Sequence, residues 1–186
     1  MEAMKHLGAV RLETERLVLR PFTAADGGAM YRNWANDPEV TRYLTWQPHE
    51  SPEASRRLAE LWARDSAKPD FYQWAIVLRE LDEPIGSISV VHIDEALRSM
   101  EMGYCIGRAW WGQGLTAEAL AAVIRFLVRG VGANRICARH DAANPNSGRV
   151  MAKAGMRRCG VLRASFRNNR GEIIDMVWYD LLAGEI

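Results

Sequence analysis

The sequence predicts one mixed α/β (α+β) domain in which a sheet of about seven strands lies under about four helices. Two observations lead to this prediction. Short stretches rich in β-branched and aromatic residues alternate with longer stretches whose apolar residues recur at helical spacing. Strand-like stretches predominate at both ends of the chain, and a single strand–helix–strand unit lies between them. A length of 186 residues is enough for one domain, 1–186, with a substantial core.

The bulk composition is that of an ordinary soluble protein. Hydrophobic residues make up 48% of the chain, charged residues 25%, and the net charge is +1. This balance gives no reason to expect nucleic acid or an anionic membrane as a partner. No apolar run approaches the roughly 18 residues of a membrane span, and the first residues lack the apolar core of a signal peptide. We therefore expect a cytoplasmic protein.

The three cysteines, Cys105, Cys137 and Cys159, are widely spaced along the chain. No C-x-x-C pair occurs and no histidine stands at ligand spacing, so the sequence predicts neither a disulfide nor a metal site. Each cysteine lies in an apolar, strand-like context, which is typical of a buried free thiol.

The elements of the first half are predicted from capping residues and from strand-like alternation. Residues 1–10 are expected to form a flexible arm. Thr23 and Ser51 are typical N-caps, and Pro52 suits the first helical position after Ser51. The elements predicted here are a strand at 16–21, helices at 23–34, 36–44 and 51–68, and a hairpin of strands at 72–78 and 85–93.

The second half is predicted on the same grounds. Leu115, Ala119 and Phe126 fall on one face of a helix, and Asn144 with Pro145 is a typical helix start. The elements predicted here are strands at 100–106 and 135–140, helices at 115–129 and from 144 onwards, and a closing hairpin of strands at 156–166 and 172–181.

The stretch from 100 to 129 indicates a ligand. A strand leads into the turn Gly112-Gln113-Gly114, and this turn opens a helix. The first N–H groups of a helix have no partner inside it and carry the positive end of its dipole. Glycines permit positive φ and let an anion approach the backbone. The N–H groups around 112–116 are therefore predicted to bind a phosphate or pyrophosphate.

Two named glycine motifs can be tested on this turn. The phosphate loop of nucleoside triphosphatases requires a lysine after its last glycine, and none follows Gly112 or Gly114. The dinucleotide fingerprint G-x-G-x-x-G/A is met literally by Gly112, Gly114 and Ala117. A doubly wound domain needs several strand–helix–strand units, however, and the chain has room for about one. Binding of a nicotinamide dinucleotide stays open as an alternative.

The same segment resembles the acyl-coenzyme A site of the GNAT acetyltransferase superfamily. Gly112 and Gly114 match the glycines of its [Q/R]-x-x-G-x-[G/A] pattern, although Ala109 stands at the first position. The run W-W-G-Q-G-L-T-A-E-A, with the earlier runs T-E-R-L-x-L-R-P-F and N-D-P-E-V, resembles the RimJ/RimL-like branch, which acetylates ribosomal-protein N-termini. The resemblance covers most of the chain. It implies the GNAT fold, a central, twisted, mostly antiparallel sheet with one parallel pair.

The resemblance implies acetyl-CoA as the cofactor and direct attack on its thioester within a ternary complex. In the family, the two parallel strands splay apart, and free N–H groups bind the thioester carbonyl. The positions that match the family's cofactor site are Tyr104, Cys105, Ile106, Trp111, Gly112, Gln113, Gly114, Leu115, Thr116 and Asn144. No metal is implied. Dimers occur among relatives, so a homodimer is a further expectation.

Two residues are predicted to be catalytic. The run N-P-N-S matches the family's N-x-x-S, so Ser147 is expected to donate to the leaving sulfur, and Asn144 to bind the pantetheine arm. Glu101 lies on the strand predicted at 100–106, where a buried carboxylate needs a function or a partner. It is the candidate general base, directly or through water. Relatives often carry a glutamate where this chain has Cys159.

Tyr43, Trp46 and His49 lie where the family builds its acceptor groove and are expected to contact the substrate. An α-amine, with a pKa near 7.8, is about one-seventh neutral at pH 7, whereas a lysine is only about one part in 2,500 neutral. The sequence shows no obvious strong base, which favours a protein or peptide N-terminus. The alternatives are a small-molecule amine as acceptor and, in another class, a non-catalytic module that binds acyl-CoA.

Overall fold

The computed structural model describes residues 3–186, in which one eight-stranded sheet is flanked by five α-helices. The strands are β1 (Leu12–Glu13), β2 (Leu17–Pro21), β3 (Gln73–Leu78), β4 (Glu83–Asp94), β5 (Ser99–Ile106), β6 (Arg135–Asp141), β7 (Arg157–Arg167) and β8 (Ile173–Leu182). The helices are α1 (Gly27–Met30), α2 (Pro38–Thr41), α3 (Pro52–Asp65), α4 (Leu115–Phe126) and α5 (Pro145–Lys153). The seven predicted strands are confirmed, and the two-residue β1 is additional.

The sheet has the strand order β1-β2-β3-β4-β5-β6-β8-β7. Only β5 and β6 run parallel, and α4 connects them, because a parallel pair needs a crossover of this length. All other neighbouring strands are antiparallel. The predicted mixed sheet with one parallel pair is therefore confirmed. The last strand of the chain, β8, lies between β6 and β7.

The centre of the sheet is buried on both faces, whereas β7 at its edge is mostly exposed. Side chains alternate along β3, so Trp74 and Ile76 pack towards α4 and α5, whereas Ala75 and Val77 pack under α1, α2 and α3. The two apolar clusters are separate, and β5 contributes to both. Of the helices in residues 3–186, none is long and apolar enough to cross a membrane.

The helix predicted at 23–34 is broken into three pieces. A 3₁₀ turn (Ala24–Asp26) leads into the single turn of α1, and a π-helical turn (Tyr31–Ala35) follows. The cause is a close approach of α3, because a Cβ on Gly27 would lie 2.5 Å from the Cα of Arg56. Glycine permits this contact but lowers helix propensity.

Two other predicted helices are confirmed at their starts and shorter at their ends. Ser51 caps α3 by accepting a hydrogen bond from the N–H of Ala54, and Pro52 occupies the first helical position. The helix predicted at 36–44 is reduced to the four residues of α2, which Asp37 caps.

The prediction that residues 1–10 form a flexible arm is wrong for residues 3–10. Residues 1 and 2 lie outside the described residues. Met4 and Ala9 are buried in the core on the α4 side of the sheet. The N–H of Lys5 donates to the carbonyl of Val131 at 2.8 Å, which ties the segment to the end of the α4 connection. Apolar side chains at every few positions are enough to hold it, although no regular element forms.

A buried ion pair fixes the entry to α1. Asp26 is 5% exposed and accepts two hydrogen bonds from Arg20, at 2.7 and 2.8 Å, and one from the N–H of Thr23. Burial alone would raise the pKa of Asp26, but the hydrogen bonds from Arg20 and Thr23 outweigh it and hold that pKa below its usual range.

We expect Asp26→Asn to lower the free energy of unfolding by about 2 kcal/mol at pH 7, because Arg20 loses its charged partner. Because folding lowers the pKa of Asp26, the ionised carboxylate stabilises the fold at pH values above the unfolded pKa of about 3.9. This stabilisation is lost as the pH falls through the folded-state pKa. Urea unfolding should therefore show the gap between wild type and variant narrowing towards pH 3. As control, Glu13→Gln, at an exposed pair, should leave stability unchanged. A gap that does not depend on pH would contradict this account.

Candidate active site

A gap opens between the two parallel strands. The pairing of β5 with β6 ends at Met102 and Ala138, although β5 continues to Ile106 and β6 to Asp141. Beyond Met102 the edge of β5 that faces β6 therefore has no strand partner. Opposite, β4 contains an extra residue between Val90 and His92, which bends the sheet at the same level.

The N–H groups of β5 can be assigned to its two edges. The N–H of Gly107 donates to the carbonyl of Ile85, at 2.8 Å, on the β4 side. Because N–H directions alternate along an antiparallel strand, the N–H of Cys105 also points to β4. The N–H groups of Tyr104 and Ile106 then point into the gap. Of the three positions predicted to bind a carbonyl, Cys105 has its N–H directed away from it.

Tyr104 and Ser147 meet across the gap. The hydroxyl of Tyr104 lies 2.9 Å from Ser147 Oγ and donates to the backbone carbonyl of Ser147 at 3.1 Å. Burial raises the pKa of Tyr104, so its phenol stays protonated. The predicted catalytic serine thus stands at the gap, in contact with a neutral hydroxyl that the sequence assigned only a backbone role.

Asn144 precedes α5 but does not cap it with its side chain. Its ψ of 69° differs from the 158° of the capping residue Ser51. The Asn144 amide makes no hydrogen bond within residues 3–186. Its donor and acceptor are therefore free for a ligand beside the gap.

The glycine turn has the geometry that the sequence predicts. Gly112 and Gly114 have φ of 76° and 79°, in the left-handed region, and α4 begins directly afterwards at Leu115. A Cβ on Gly112 would meet no atom within 4 Å, so the turn presents open space in front of the helix N-terminus. This is an anion-binding arrangement.

Side chains beside the turn are used to hold it. The indole N–H of Trp111 donates to the carbonyl of Ile106 at 2.9 Å, which docks the turn on the end of β5. The side-chain amide of Gln113 donates to the carbonyl of Ala109 at 3.0 Å. Trp111 remains 47% exposed, so one face of its ring is available to a ligand. Thr116 is buried in the first turn of α4.

Arg16 is a residue of this region that the sequence did not identify. Glu118 in the first turn of α4 binds its guanidinium at 2.6 Å, and Arg16 donates to the carbonyl of Gln113 at 3.0 Å. Burial alone would raise the pKa of Glu118, but hydrogen bonds from Thr14 and Arg16 keep it below its usual range. A cation is thereby fixed beside the glycine turn. Because Arg16 and Gln113 are 97 residues apart, no local sequence pattern indicates that they are in contact.

Glu101 is bound by Arg139, a second residue that the sequence missed. The Arg139 Nε lies 2.9 Å from Glu101 Oε1, and the guanidinium stacks over the rings of Phe166 and Trp178 at 4.8 and 5.2 Å from their centres. Glu101 Oε2 makes no hydrogen bond within the described residues. The predicted base is thus present on the sheet face opposite α4, with one oxygen occupied by a cation.

A cavity of about 220 Å³ lies over the same face, between α1 and α3. It is lined by Met30, Trp34, Trp46, His49, Leu58, Trp62 and Ser87. The hydroxyl of Ser87 lies 3.4 Å from the Cys105 sulfur, so the cavity floor reaches the central strand. Of the three predicted substrate contacts, Trp46 and His49 line this cavity. Tyr43 does not, and its ring lies against Arg42 instead.

The turn between β7 and β8 is tied to the segment that carries Trp46. The Asn169 amide donates to the carbonyls of Thr41 and Trp46 at 2.9 and 2.8 Å, and Arg170 donates to the carbonyl of Arg42 at 2.8 Å. Two buried polar atoms in residues 3–186 lack a partner, Asn169 Oδ1 and Trp178 Nε1. Asn169 Oδ1 is an acceptor and Trp178 Nε1–H is a donor. Buried polar groups are rarely left without a partner.

The sequence predicts that all three cysteines are buried free thiols, with mixed outcomes. Cys105 is half-buried and Cys137 buried, whereas Cys159 is exposed, because it lies on the edge strand β7. His140 is buried, with its Nδ1 2.7 Å from the Asp141 carbonyl oxygen. A Cβ on Gly148 would lie 2.7 Å from its ring, so α5 rests directly on this histidine.

Comparison with known proteins identifies the domain. The family model described as Acetyltransferase (GNAT) domain matches residues 16–157. The chain is 30% identical over 174 residues to an uncharacterised N-acetyltransferase, p20, of Bacillus licheniformis, covering 94% of this chain and 97% of that protein.

Two further likenesses bear on function and on fold. The [ribosomal protein uS5]-alanine N-acetyltransferase of Escherichia coli is 25% identical over 177 residues, covering 92% of this chain and 87% of that protein. A GNAT acetyltransferase structure from Bacillus anthracis superimposes with a TM-score of 0.82 at 23% identity, covering 94% and 99% of the two chains, a likeness that concerns the fold alone.

Proposed function

Because the chain belongs to the GNAT acetyltransferase family, we propose that this N-acetyltransferase takes the acetyl group from acetyl-CoA and transfers it to the N-terminal α-amine of a protein or peptide. The observation that carries the proposal is the gap between β5 and β6. A glycine turn, hydrogen-bond donors and a hydroxyl lie on one side of the sheet at this gap, and an aromatic cavity lies over the other face.

The residues around the gap fit acetyl-CoA. The open space before Gly112 and the free N–H groups of α4 suit its pyrophosphate, with Arg16 as a nearby cation. The unpaired amide of Asn144 suits the amide-rich pantetheine arm. The N–H groups of Tyr104 and Ile106 would polarise the thioester carbonyl, and one such preorganised donor contributes ~3 kcal/mol to a transition state.

We assign the departing sulfur to Ser147. As the C–S bond breaks, the thiolate takes a proton from Ser147 Oγ. The Tyr104 hydroxyl, 2.9 Å away, can turn from the Ser147 carbonyl to replace this proton, and it regains its own from the attacking nitrogen. No charged acid is needed, because a thiolate with a pKa near 8.5 is a good leaving group at neutral pH.

We expect Ser147→Ala to lower kcat by about tenfold to a hundredfold, since water can still protonate the sulfur slowly. The Kd for acetyl-CoA, measured by calorimetry, should not change. Tyr104→Phe is the matched variant, since it removes the partner hydroxyl but keeps Ser147, and its kcat should fall by less than that of Ser147→Ala. An unchanged kcat in Ser147→Ala would exclude the serine as the proton donor.

An α-amine of a polypeptide is supported by two features. The Escherichia coli relative acts on a ribosomal protein's alanine. The cavity has room for one side chain rather than for a large substrate.

The proposal is tested by acetyl transfer to a matched panel of acceptors. The panel contains short peptides that begin with alanine or serine, the same peptides blocked at the N-terminus but carrying a lysine, and several small primary amines. We expect the free peptides to be acetylated with the highest kcat/KM. Preferential turnover of a small amine would mean that the acceptor is a small molecule. The chain would still be an N-acetyltransferase.

A further inference from the structure

We propose that His49 is the base that removes the proton from the acceptor's ammonium group, in place of Glu101. This inference rests on the proposed function, because it concerns the same acetyl transfer. It adds a catalytic role to a residue that the sequence predicts only to contact the substrate.

His49 is held in one orientation inside the cavity. Its Nδ1 lies 2.7 Å from the Oγ of Ser55, a fully buried residue of α3. The backbone N–H of His49 donates to the carbonyl of Ala35 at 2.8 Å. The ring of Trp46 lies 5.3 Å away. In the tautomer that donates Nδ1–H to Ser55, Nε2 keeps its lone pair and is the proton acceptor of the cavity.

The cavity places this lone pair on the acceptor side of the central strand. Ser87 lines the cavity together with His49, and its hydroxyl contacts the sulfur of Cys105. Cys105 stands between Tyr104 and Ile106, whose N–H groups point into the gap. An amine seated above Ser87 would therefore lie between His49 and the thioester carbonyl.

The surroundings keep His49 neutral before the amine binds. Burial lowers its pKa, and it is the one titratable side chain among the described residues that line the cavity. Beneath it on β5, burial raises the pKa of the Cys105 thiol, which stays protonated. Glu101 is paired with Arg139, and the sequence neighbours Glu50 and Glu53 are exposed. The imidazole is thus ready to accept a proton at pH 7.

His49 Nε2 takes one proton from R–NH₃⁺, and the freed lone pair attacks the acetyl carbonyl carbon, forming the C–N bond. The C–S bond breaks as the tetrahedral intermediate collapses, and the leaving thiolate receives a proton from the Ser147–Tyr104 pair. The nitrogen's second proton returns to that pair, and His49 releases its own proton to solvent.

His49→Asn tests this role with little change of structure, because an asparagine amide can replace Nδ1–H as the donor to Ser55. At pH 7 we expect kcat to fall by about a hundredfold, with the Kd for acetyl-CoA unchanged. At about pH 9.5 an α-amine is already neutral, so the loss should shrink to less than about fivefold.

Glu101→Gln is the matched comparison, since it removes the rival proton acceptor and keeps its shape. We expect it to lose less than tenfold at either pH. A His49→Ala variant supplies a second test, because added imidazole can enter the cavity and should restore part of the rate at pH 7. Thermal melting checks that all three variants are folded.

The outcomes separate this inference from the proposed function. If wild type acetylates peptides and His49→Asn loses equally at both pH values, His49 only packs and the inference fails alone. A larger loss in Glu101→Gln would also overturn it. If wild type binds acetyl-CoA but acetylates no amine, both proposals fall.

Discussion

Replacing Gly112 by glutamate is expected to weaken the binding of acetyl-CoA about a thousandfold, or ~4 kcal/mol. Gly112 has a φ of 76°, and its missing side chain leaves open space before α4. A glutamate there would put a carboxylate where the pyrophosphate is proposed to bind, so that like charges repel and hydrogen bonds to the turn are lost, each worth ~1.5–3 kcal/mol. Calorimetric titration measures the change directly.

Gly112→Ala is the control, since it has the same backbone strain without the charge. A non-glycine residue in the left-handed region costs ~1 kcal/mol, and nothing lies within 4 Å of the new Cβ. We expect its Kd to rise less than tenfold. If the folded Gly112→Glu protein bound acetyl-CoA like wild type, the glycine turn would not be the pyrophosphate site.

The second large effect is expected at Gly86 of β4, which lies against the backbone of β5. A Cβ on Gly86 would lie 2.3 Å from the carbonyl oxygen of Cys105 and 2.9 Å from the Cα of Ile106, both backbone atoms that cannot move alone. Gly86→Ala should therefore separate the strands and lower the free energy of unfolding by more than ~3 kcal/mol. Urea unfolding gives the value.

Gly103→Ala, on β5 itself, is the matched control. Its Cβ would meet the Cγ1 of Val91 at 2.9 Å, and that atom ends an exposed side chain that can rotate away. We expect it to change stability by less than ~1 kcal/mol. Equal losses in the two variants would mean that glycine is needed for backbone freedom in this sheet and not for the contact of β4 with β5.

The sequence is sufficient wherever the determinants are local. Gly112 and Gly114 are recognisable because positive φ nearly requires glycine, and Ser51 with Pro52 marks the start of α3 for an equally local reason. Strands such as β5 are found from their apolar alternation. The architecture follows, because one crossover helix permits one parallel pair.

The remaining site could not be predicted, because its partners are distant in the chain. Glu101 and Arg139 are 38 residues apart and meet only through the register of β5 with β6. The cavity needs side chains from α1, α3 and β4 at once. The broken helix after Thr23 has a tertiary cause as well, since it depends on how closely α3 approaches Gly27.

The position of β8 between β6 and β7 determines when the enzyme can first work. During synthesis β7 leaves the ribosome before its partner in the sheet exists, because among the described strands it pairs with β8 alone. Trp178, which lies on β8, and the turn between β7 and β8 that holds Trp46 in place also leave the ribosome only after β7. A nascent chain that has already folded its glycine turn would still lack its acceptor side. Activity is therefore expected only after β8, Ile173–Leu182, has left the ribosome.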